Sequence, residues 1–114
     1  MKIAVSTVGT KKDSKLEPRF GRANYFVVYD TETKEYTFID NQEIQETAHG
    51  AGPQTSQKIF DAGVNVILTG NGPGKNAFQV LEAGNIKMFI CKEDITAEEV
   101  ITKYLNNELK AFEN

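Results

Sequence analysis

Apolar runs with the length of strands alternate with helical patterns in the second half of the chain, and this alternation limits the possible folds. Residues 64–68 and 86–91 are almost continuous apolar runs, as expected for buried strands. Residues 53–63 and 74–84 each begin at proline or glycine and end at glycine, which predicts two helices. Strands that alternate with helices pair in parallel through right-handed crossovers. This half of the chain therefore predicts an α/β fold.

The first half of the chain predicts three strands joined as a meander. Residues 3–5 form a short apolar run, and residues 25–30 are rich in aromatic and β-branched side chains. The polar connection 31–34 has hairpin length and leads into a third strand over residues 35–40. In a meander of this kind the third strand runs in the same direction as the first.

A third helix is predicted near the C-terminus. Thr96 and Glu99 have the spacing of a capping box, and apolar side chains recur at helical intervals as far as Leu109. Residues 110–114 are expected to fray. The predicted order is β-β-β-α-β-α-β-α, with five strands and three helices in a single domain over residues 1–114, because 114 residues leave no room for a second core.

Composition restricts the kinds of partner that this protein can bind and the cell compartment in which it is expected. The net charge of −3 argues against a nucleic-acid-binding surface, which normally carries a basic excess. Cys91 is the only cysteine, so no internal disulfide can form, as is usual for a cytoplasmic protein. The apolar run at the N-terminus is too short for a signal peptide or a membrane span. We therefore expect a cytoplasmic protein that binds neither membranes nor nucleic acid.

Three loops that contain glycine are expected to meet at one edge of the sheet. They are residues 19–23, 41–52 and 70–77, and the second contains His49, the only histidine. Ligands of open α/β sheets bind at the carboxyl edge of the parallel strands, where these loops begin. Glycine allows backbone N–H groups to approach a ligand closely. Free N–H groups and cations on such a rim favour a bulky anionic ligand.

The turn over residues 70–77 follows neither of the two best-known phosphate-binding patterns. Thr69 and Asn76 stand where a Walker A loop needs glycine and a serine or threonine, and Lys75 replaces the last glycine of a dinucleotide fingerprint. What remains is a strand, a glycine turn and a helix whose N-terminal N–H groups attract anions. Alternatively, the glycines allow the helix to pack closely on the sheet, and each interpretation is expected to hold for different glycines.

His49 and Cys91 are the candidate metal ligands. A lone histidine is more often a surface or hydrogen-bonded residue, although the position of His49 near a helix start suits a ligand. Cys91 could supply a soft thiolate at a strand end, but a small buried apolar residue is the favoured interpretation of this position. The sequence has no Cys-x-x-Cys or His-x-His spacing, so a closed metal site made by the protein alone is not predicted.

The remaining polar residues do not form a catalytic pattern. Arg19 and Arg22 flank Phe20 and Gly21; we expect Phe20 to be structural and at least one arginine to face the ligand. No close pair of carboxylates is expected on the shared edge, and no nucleophile stands at a recognisable spacing from a histidine. The chain is therefore not predicted to be an enzyme.

Taken in order, the arginine–glycine turn, the loop ending at His49, the glycine turn and residues 81–86 resemble the dinitrogenase iron–molybdenum cofactor biosynthesis family. That family includes NifX-like proteins and the C-terminal domain of NifB-like proteins. The resemblance implies a ribonuclease H-like fold with a mixed sheet of strand order 3-2-1-4-5, without nuclease activity. It also implies binding or carriage of an iron–sulfur or iron–molybdenum cluster precursor, together with cluster-assembly proteins as partners.

The resemblance extends to individual residues. His49 becomes a candidate cluster ligand, whereas Cys91 does not match a family position, and Ala23 stands where related chains often have cysteine. We expect a monomer or weak dimer; the alternative function is a regulatory domain that binds an anionic small molecule or a protein at the same edge. The expected cofactor-binding residues are Arg19, Phe20, Gly21, Arg22, Asn41, His49, Gly50, Gly70, Gly72, Gly74 and Asn76.

Overall fold

The computed structural model describes residues 1–46 and 51–113, and six strands in this part of the chain form one mixed sheet. Their order is β3-β2-β1-β4-β5-β6, which confirms the predicted 3-2-1-4-5 order and adds a sixth strand. β4 lies parallel to β1 and β5, while β2 is antiparallel to β1 and β3. The strands are β1 (Lys2–Thr7), β2 (Tyr25–Asp30), β3 (Tyr36–Asp40), β4 (Val66–Thr69), β5 (Lys87–Ile90) and β6 (Lys110–Ala111).

The helices include the three that were predicted. These are α2 (Ala51–Asp61), α3 (Lys75–Ala83) and α4 (Ala97–Leu105). The capping box of α4 is present, because the Thr96 side chain accepts a hydrogen bond from the Glu99 backbone and Glu99 accepts one from the Thr96 backbone. Two short elements were not predicted: a 3₁₀ helix at Phe20–Arg22 and the four-residue helix α1 (Gln42–Gln45).

Each face of the sheet packs against different helices, and each has its own core. α2 and α3 cover one face, where Ile59 and Leu81 meet Phe26 and Ile67 of the sheet. α4 covers the other face. Its core contains Ile3, Val5, Val27, Leu68, Cys91, Val100 and Ile101. The strict alternation of side chains along each strand therefore fills both cores from the same short segments.

Residues 110–112 pair and pack with the rest of the domain, so the expectation that they fray was wrong. β6 pairs antiparallel with β5, and the Phe112 backbone N–H donates to the Met88 carbonyl at 2.8 Å. The Phe112 ring packs edge-on against Phe78 at a centroid distance of 5.4 Å. A side-chain Cβ built on Gly72 would overlap this ring. Burial of one aromatic ring against α3 and the glycine turn thus orders a tail whose composition is otherwise polar.

The strand directions bring the predicted loops to one edge. β1, β3, β4 and β5 point the same way, so the segments that follow them share the carboxyl edge of the sheet. The long connection after β1 returns to this edge, where the Ser6 hydroxyl donates to the Glu17 carbonyl at 2.6 Å. The Thr69 hydroxyl of β4 meets Ser6 at 2.7 Å and anchors the same connection. The predicted convergence is therefore confirmed for the described residues.

Candidate functional site

An open cleft of about 370 Å³ lies at this carboxyl edge, on the face of the sheet covered by α2 and α3. Three segments form its walls: the 3₁₀ turn, the start of α2, and the glycine turn between β4 and α3. The lining residues are Arg19, Phe20, Gly21, Arg22, Ala51, Gly52, Asn71, Gly72, Pro73 and Gly74.

The 3₁₀ turn is held by its apolar residue and its glycine. Phe20 is buried and packs edge-on against Phe26 at a centroid distance of 5.6 Å. A Cβ at Gly21 would lie 3.3 Å from the backbone of Gly52, so the turn approaches the first described residues of α2 closely because Gly21 has no side chain. A Cβ at Gly52 would instead lie 3.1 Å from the Ala77 side chain of α3. This packing sets the position of Arg19 on the wall of the cleft. Phe20 therefore has the structural role that was expected of it.

The glycines of the turn between β4 and α3 have different roles. A Cβ at Gly70 would lie 2.7 Å from Pro18 Cα, and one at Gly72 would overlap Phe112, so both positions are packing sites. A Cβ at Gly74 would meet no atom within 4 Å. Gly74 precedes α3 and has no side chain to cap that helix. The packing interpretation therefore holds for Gly70 and Gly72, and the anion-binding interpretation stays a prediction for this turn.

The charged side chains among the described lining residues of the cleft are both cationic. α3 begins directly after Gly74, so the start of this helix borders the cleft, beside the first described residues of α2. The first N–H groups of a helix have no partner inside the helix and carry a partial positive charge. Arg19 and Arg22 add two cationic side chains, and none of the described lining residues is acidic. The arrangement favours an anion.

Glu17 holds Arg19 in place from outside the lining of the cleft. The carboxylate accepts hydrogen bonds from the Arg19 backbone N–H at 3.0 Å and from its Nη2 at 3.0 Å, and the Glu17 side chain is only 13% exposed. Burial by itself raises the pKa of Glu17, but the hydrogen bonds and charge of Arg19 outweigh it and hold the pKa below its ordinary value of 4.5. The same pair raises the pKa of Arg19.

We expect the stabilising effect of this ion pair to disappear in acid. Because the pKa of Glu17 is lower in the folded state, the pair stabilises the protein above pH 4.5 and stops doing so as the pH falls through the folded-state pKa. Glu17→Gln is expected to lower the free energy of unfolding by less than about 1 kcal/mol at neutral pH, with the difference vanishing in acid. Urea unfolding of both proteins from neutral pH into acid measures this difference in the free energy of unfolding. A difference that does not change with pH would show that the Glu17–Arg19 ion pair is not its cause.

Three other candidate residues do not line the cleft. Asn41 is 1% exposed, and its side chain donates to the Ala23 carbonyl at 2.9 Å and accepts from the Thr55 hydroxyl at 3.2 Å. Asn76 is exposed on the first turn of α3. Cys91 is 3% exposed within the core under α4, on the opposite face of the sheet.

The positions of the other candidates divide between two cavities. Arg19, Phe20, Gly21, Arg22, Gly72 and Gly74 all line the cleft. Gly70 lines a neighbouring cavity of about 200 Å³, which Cys91 also lines. His49 and Gly50 lie outside the described residues.

The sequence analysis missed Asn71 as a lining residue. Asn71 stands between the cleft and the neighbouring cavity, and its Oδ1 accepts a hydrogen bond from the Lys92 ammonium at 3.0 Å. This bond directs the amide oxygen toward Lys92 and leaves the amide N–H groups as donors. The signal that could have identified Asn71 is its place between two glycines of the same turn.

Comparison with known proteins gives a family for the chain. A sequence model of the family described as dinitrogenase iron-molybdenum cofactor matches residues 1–107. The chain belongs to this family. No protein of curated function matches it.

Two solved structures have the same fold. One is the apo form of the orange protein from Desulfovibrio gigas, with 36% sequence identity, a TM-score of 0.92, and coverage of 97% of this chain and 92% of that one. The other is a Thermotoga protein described as a candidate NifB, with 32% identity, a TM-score of 0.84, and coverage of 99% and 97%. Both likenesses extend over almost the whole of this member of the dinitrogenase cofactor family.

The donor atoms of this family member define which kind of metal species fits the cleft. Among residues 1–46 and 51–113, no three histidine, cysteine, aspartate or glutamate side chains stand close enough to hold a metal ion. The described lining offers N–H groups, guanidinium groups and the Asn71 amide instead. These groups are hydrogen-bond donors and cations, which bind anions rather than bare metal ions. The described helices are all too short or too polar to span a membrane.

Proposed function

We propose that this chain binds a preassembled, anionic iron–sulfur or iron–molybdenum cluster precursor in the cleft and passes it to other proteins without catalysing a reaction. The observation that carries the proposal is the composition of the cleft: two arginines and the start of α3, with no acidic side chain among the described lining residues. A cluster of this kind is large, negatively charged and covered by sulfide, which accepts hydrogen bonds from N–H groups.

Binding of this kind is suited to transfer. The described lining supplies no thiolate or carboxylate, so the cargo keeps its own ligands and is held by charge and hydrogen bonds. Such bonds form and break faster than several metal–thiolate bonds would. The openness of the cleft to solvent also allows direct access by a second protein. A carrier needs both properties.

His49 is the one candidate that could coordinate a metal of the cargo directly. It precedes Ala51, which lines the cleft, by two positions in the sequence. Its neutral imidazole is a good ligand for iron. One protein ligand would fix the orientation of the cargo and still allow its release.

The relatives support the proposal without identifying the cargo. The family is named for the iron–molybdenum cofactor of dinitrogenase, which is a metal–sulfur cluster. The structure of the D. gigas orange protein is described as its apo form. We infer that the partners of this chain are cluster-assembly proteins.

The test is an anaerobic titration with tetrathiomolybdate, a molybdenum–sulfide dianion with strong visible absorption. We expect the wild-type protein to retain molybdenum through gel filtration. Arg19→Gln combined with Arg22→Gln should weaken binding at least about tenfold, because both residues line the cleft and the change removes both of its cationic side chains. The matched control is Lys11→Gln combined with Lys87→Gln, which removes the same charge from exposed positions outside the cleft.

Three further results decide between the interpretations. His49→Ala should change the absorption spectrum of the bound anion; an unchanged spectrum would remove the ligand role of His49. Equal weakening by the control pair would remove the cleft as the binding site. A thermal shift with a phosphorylated metabolite and none with tetrathiomolybdate would replace the carrier function with the regulatory one.

A further inference from the structure

The outer edge of β3 carries free backbone groups in a regular array. The Asn41 N–H donates to the Asn24 carbonyl and the Asp30 N–H to the Glu35 carbonyl, which places the odd-numbered residues of β3 toward β2. The backbone groups of Tyr36, Phe38 and Asp40 therefore point away from the sheet, since the direction alternates along a strand.

Only part of this outward array is already satisfied. The Asp40 carbonyl accepts a hydrogen bond from the Lys58 ammonium. The outward N–H and C=O groups of Tyr36 and Phe38 have no hydrogen-bond partner within the described residues. These four groups are two donors and two acceptors, which can pair fully with an identical strand.

β3 also lacks the features that normally protect an edge strand. No proline, bulge or charge interrupts residues 36–39. Phe38 lies on the face of the sheet that α4 covers, and it is 52% exposed. The Phe38 ring contacts only the edge of Tyr25 among the described rings, at 5.9 Å. By contrast, the opposite edge of the sheet is the two-residue strand β6, which carries Lys110. Edge strands without such protection pair with other chains.

We propose that β3 is a dimer interface at which a second copy of this chain pairs antiparallel about a two-fold axis through Thr37. This register places Tyr36 opposite Phe38 of the second copy, so their free N–H and C=O groups form four hydrogen bonds. It also brings the side chain of Lys34, in the turn that precedes β3, near Asp40 of the second copy, twice by symmetry. Neither side chain forms an ion pair within the described residues, so the charges are complementary only in the dimer.

Neighbouring registers are less favourable. An axis through Phe38 would require the Asp40 carbonyl, which Lys58 already occupies. An axis through Tyr36 would require the backbone of Lys34, whose φ of 65° departs from strand geometry. The axis through Thr37 alone uses only free groups. Because the paired segment is short, the dimer is expected to dissociate readily on dilution.

Disulfide trapping tests the register directly. Thr37→Cys places two thiols opposite each other in a non-hydrogen-bonded pair, with Cα atoms about 4.5 Å apart, within disulfide range. Glu35→Cys is the matched control: it is equally exposed on the same strand face, but its Cα atoms would be separated by about 14 Å. Under mild oxidation we expect a covalent dimer of Thr37→Cys and none of Glu35→Cys. The native Cys91 is buried and does not compete.

Charge exchange supplies a second, independent readout. In sedimentation experiments at low salt, Lys34→Glu should weaken dimerisation about tenfold, because like charges then face each other twice. Adding Asp40→Lys should restore it. Each of three results would overturn the proposal. The protein could stay monomeric at every concentration, both cysteine variants could cross-link equally, or the double variant could fail to restore association.

Discussion

Gly70→Ala is expected to lower the free energy of unfolding by about 3 kcal/mol, although it adds only one methyl group. The new Cβ would lie 2.7 Å from Pro18 Cα and 2.8 Å from Pro18 Cβ. Pro18 cannot move aside, because its carbonyl accepts hydrogen bonds from the Asn71 N–H at 2.8 Å and from the Thr69 hydroxyl at 3.3 Å. Ser6 fixes the preceding residue in the same way. The backbone of the glycine turn, or that of the connection containing Pro18, must therefore move to make room for the methyl group.

Gly74→Ala is the matched control for this prediction. It adds the same methyl group four residues later, where nothing lies within 4 Å. Its stability should stay within about 0.5 kcal/mol of wild type, because a less flexible unfolded chain offsets the weaker N-cap. Guanidinium unfolding of both variants measures the difference. Equal losses at the two positions would show that the contact with Pro18 is not the cause.

Asn41→Ala is expected to destabilise the protein by about 3 kcal/mol, even though the sequence placed Asn41 among the ligand-binding residues. The substitution removes both hydrogen bonds of the side chain, to the Ala23 carbonyl and the Thr55 hydroxyl, at a position that is 1% exposed. It leaves two buried polar groups without partners and opens a cavity between the 3₁₀ turn and α2. Thermal and urea unfolding measure the loss.

Asn76→Ala provides the comparison, because Asn76 was also predicted to bind the ligand but is exposed on α3. Its stability should remain within about 0.5 kcal/mol of wild type. Folded Asn41→Ala protein should still bind tetrathiomolybdate in the cleft, since Asn41 lies outside the lining. Unchanged stability with lost binding would instead return Asn41 to the site.

The parts of the fold that follow from hydrophobic patterning were predictable. The apolar runs at β4 and β5, separated by an amphipathic segment, required parallel pairing and a helical crossover. The hairpin of β2 and β3 followed from the length of its polar connection. Because strand direction decides which loops share an edge, the convergence of the 3₁₀ turn and the glycine turn followed as well.

The C-terminal strand could not be predicted from its own residues. Lys110–Ala111 is too short to show a period, and its neighbours are polar. Its order comes from Phe112, whose ring meets Phe78 and the glycine turn, both distant in sequence. The same limit applies to Asn41: a polar residue in a loop gives no sign that α2 will cover it.

Within one stretch of chain, the order of apolar and polar residues was enough to determine strand direction and the edge at which the turns meet. Tertiary structure alone decided which of those residues face the open cleft and which fill space beneath it. Gly70 and Gly72 look identical to Gly74 in the sequence, yet Pro18 and Phe112 lie against only the first two. That distinction depends on contacts between segments far apart along the chain, and such contacts form only when the sheet and helices have assembled.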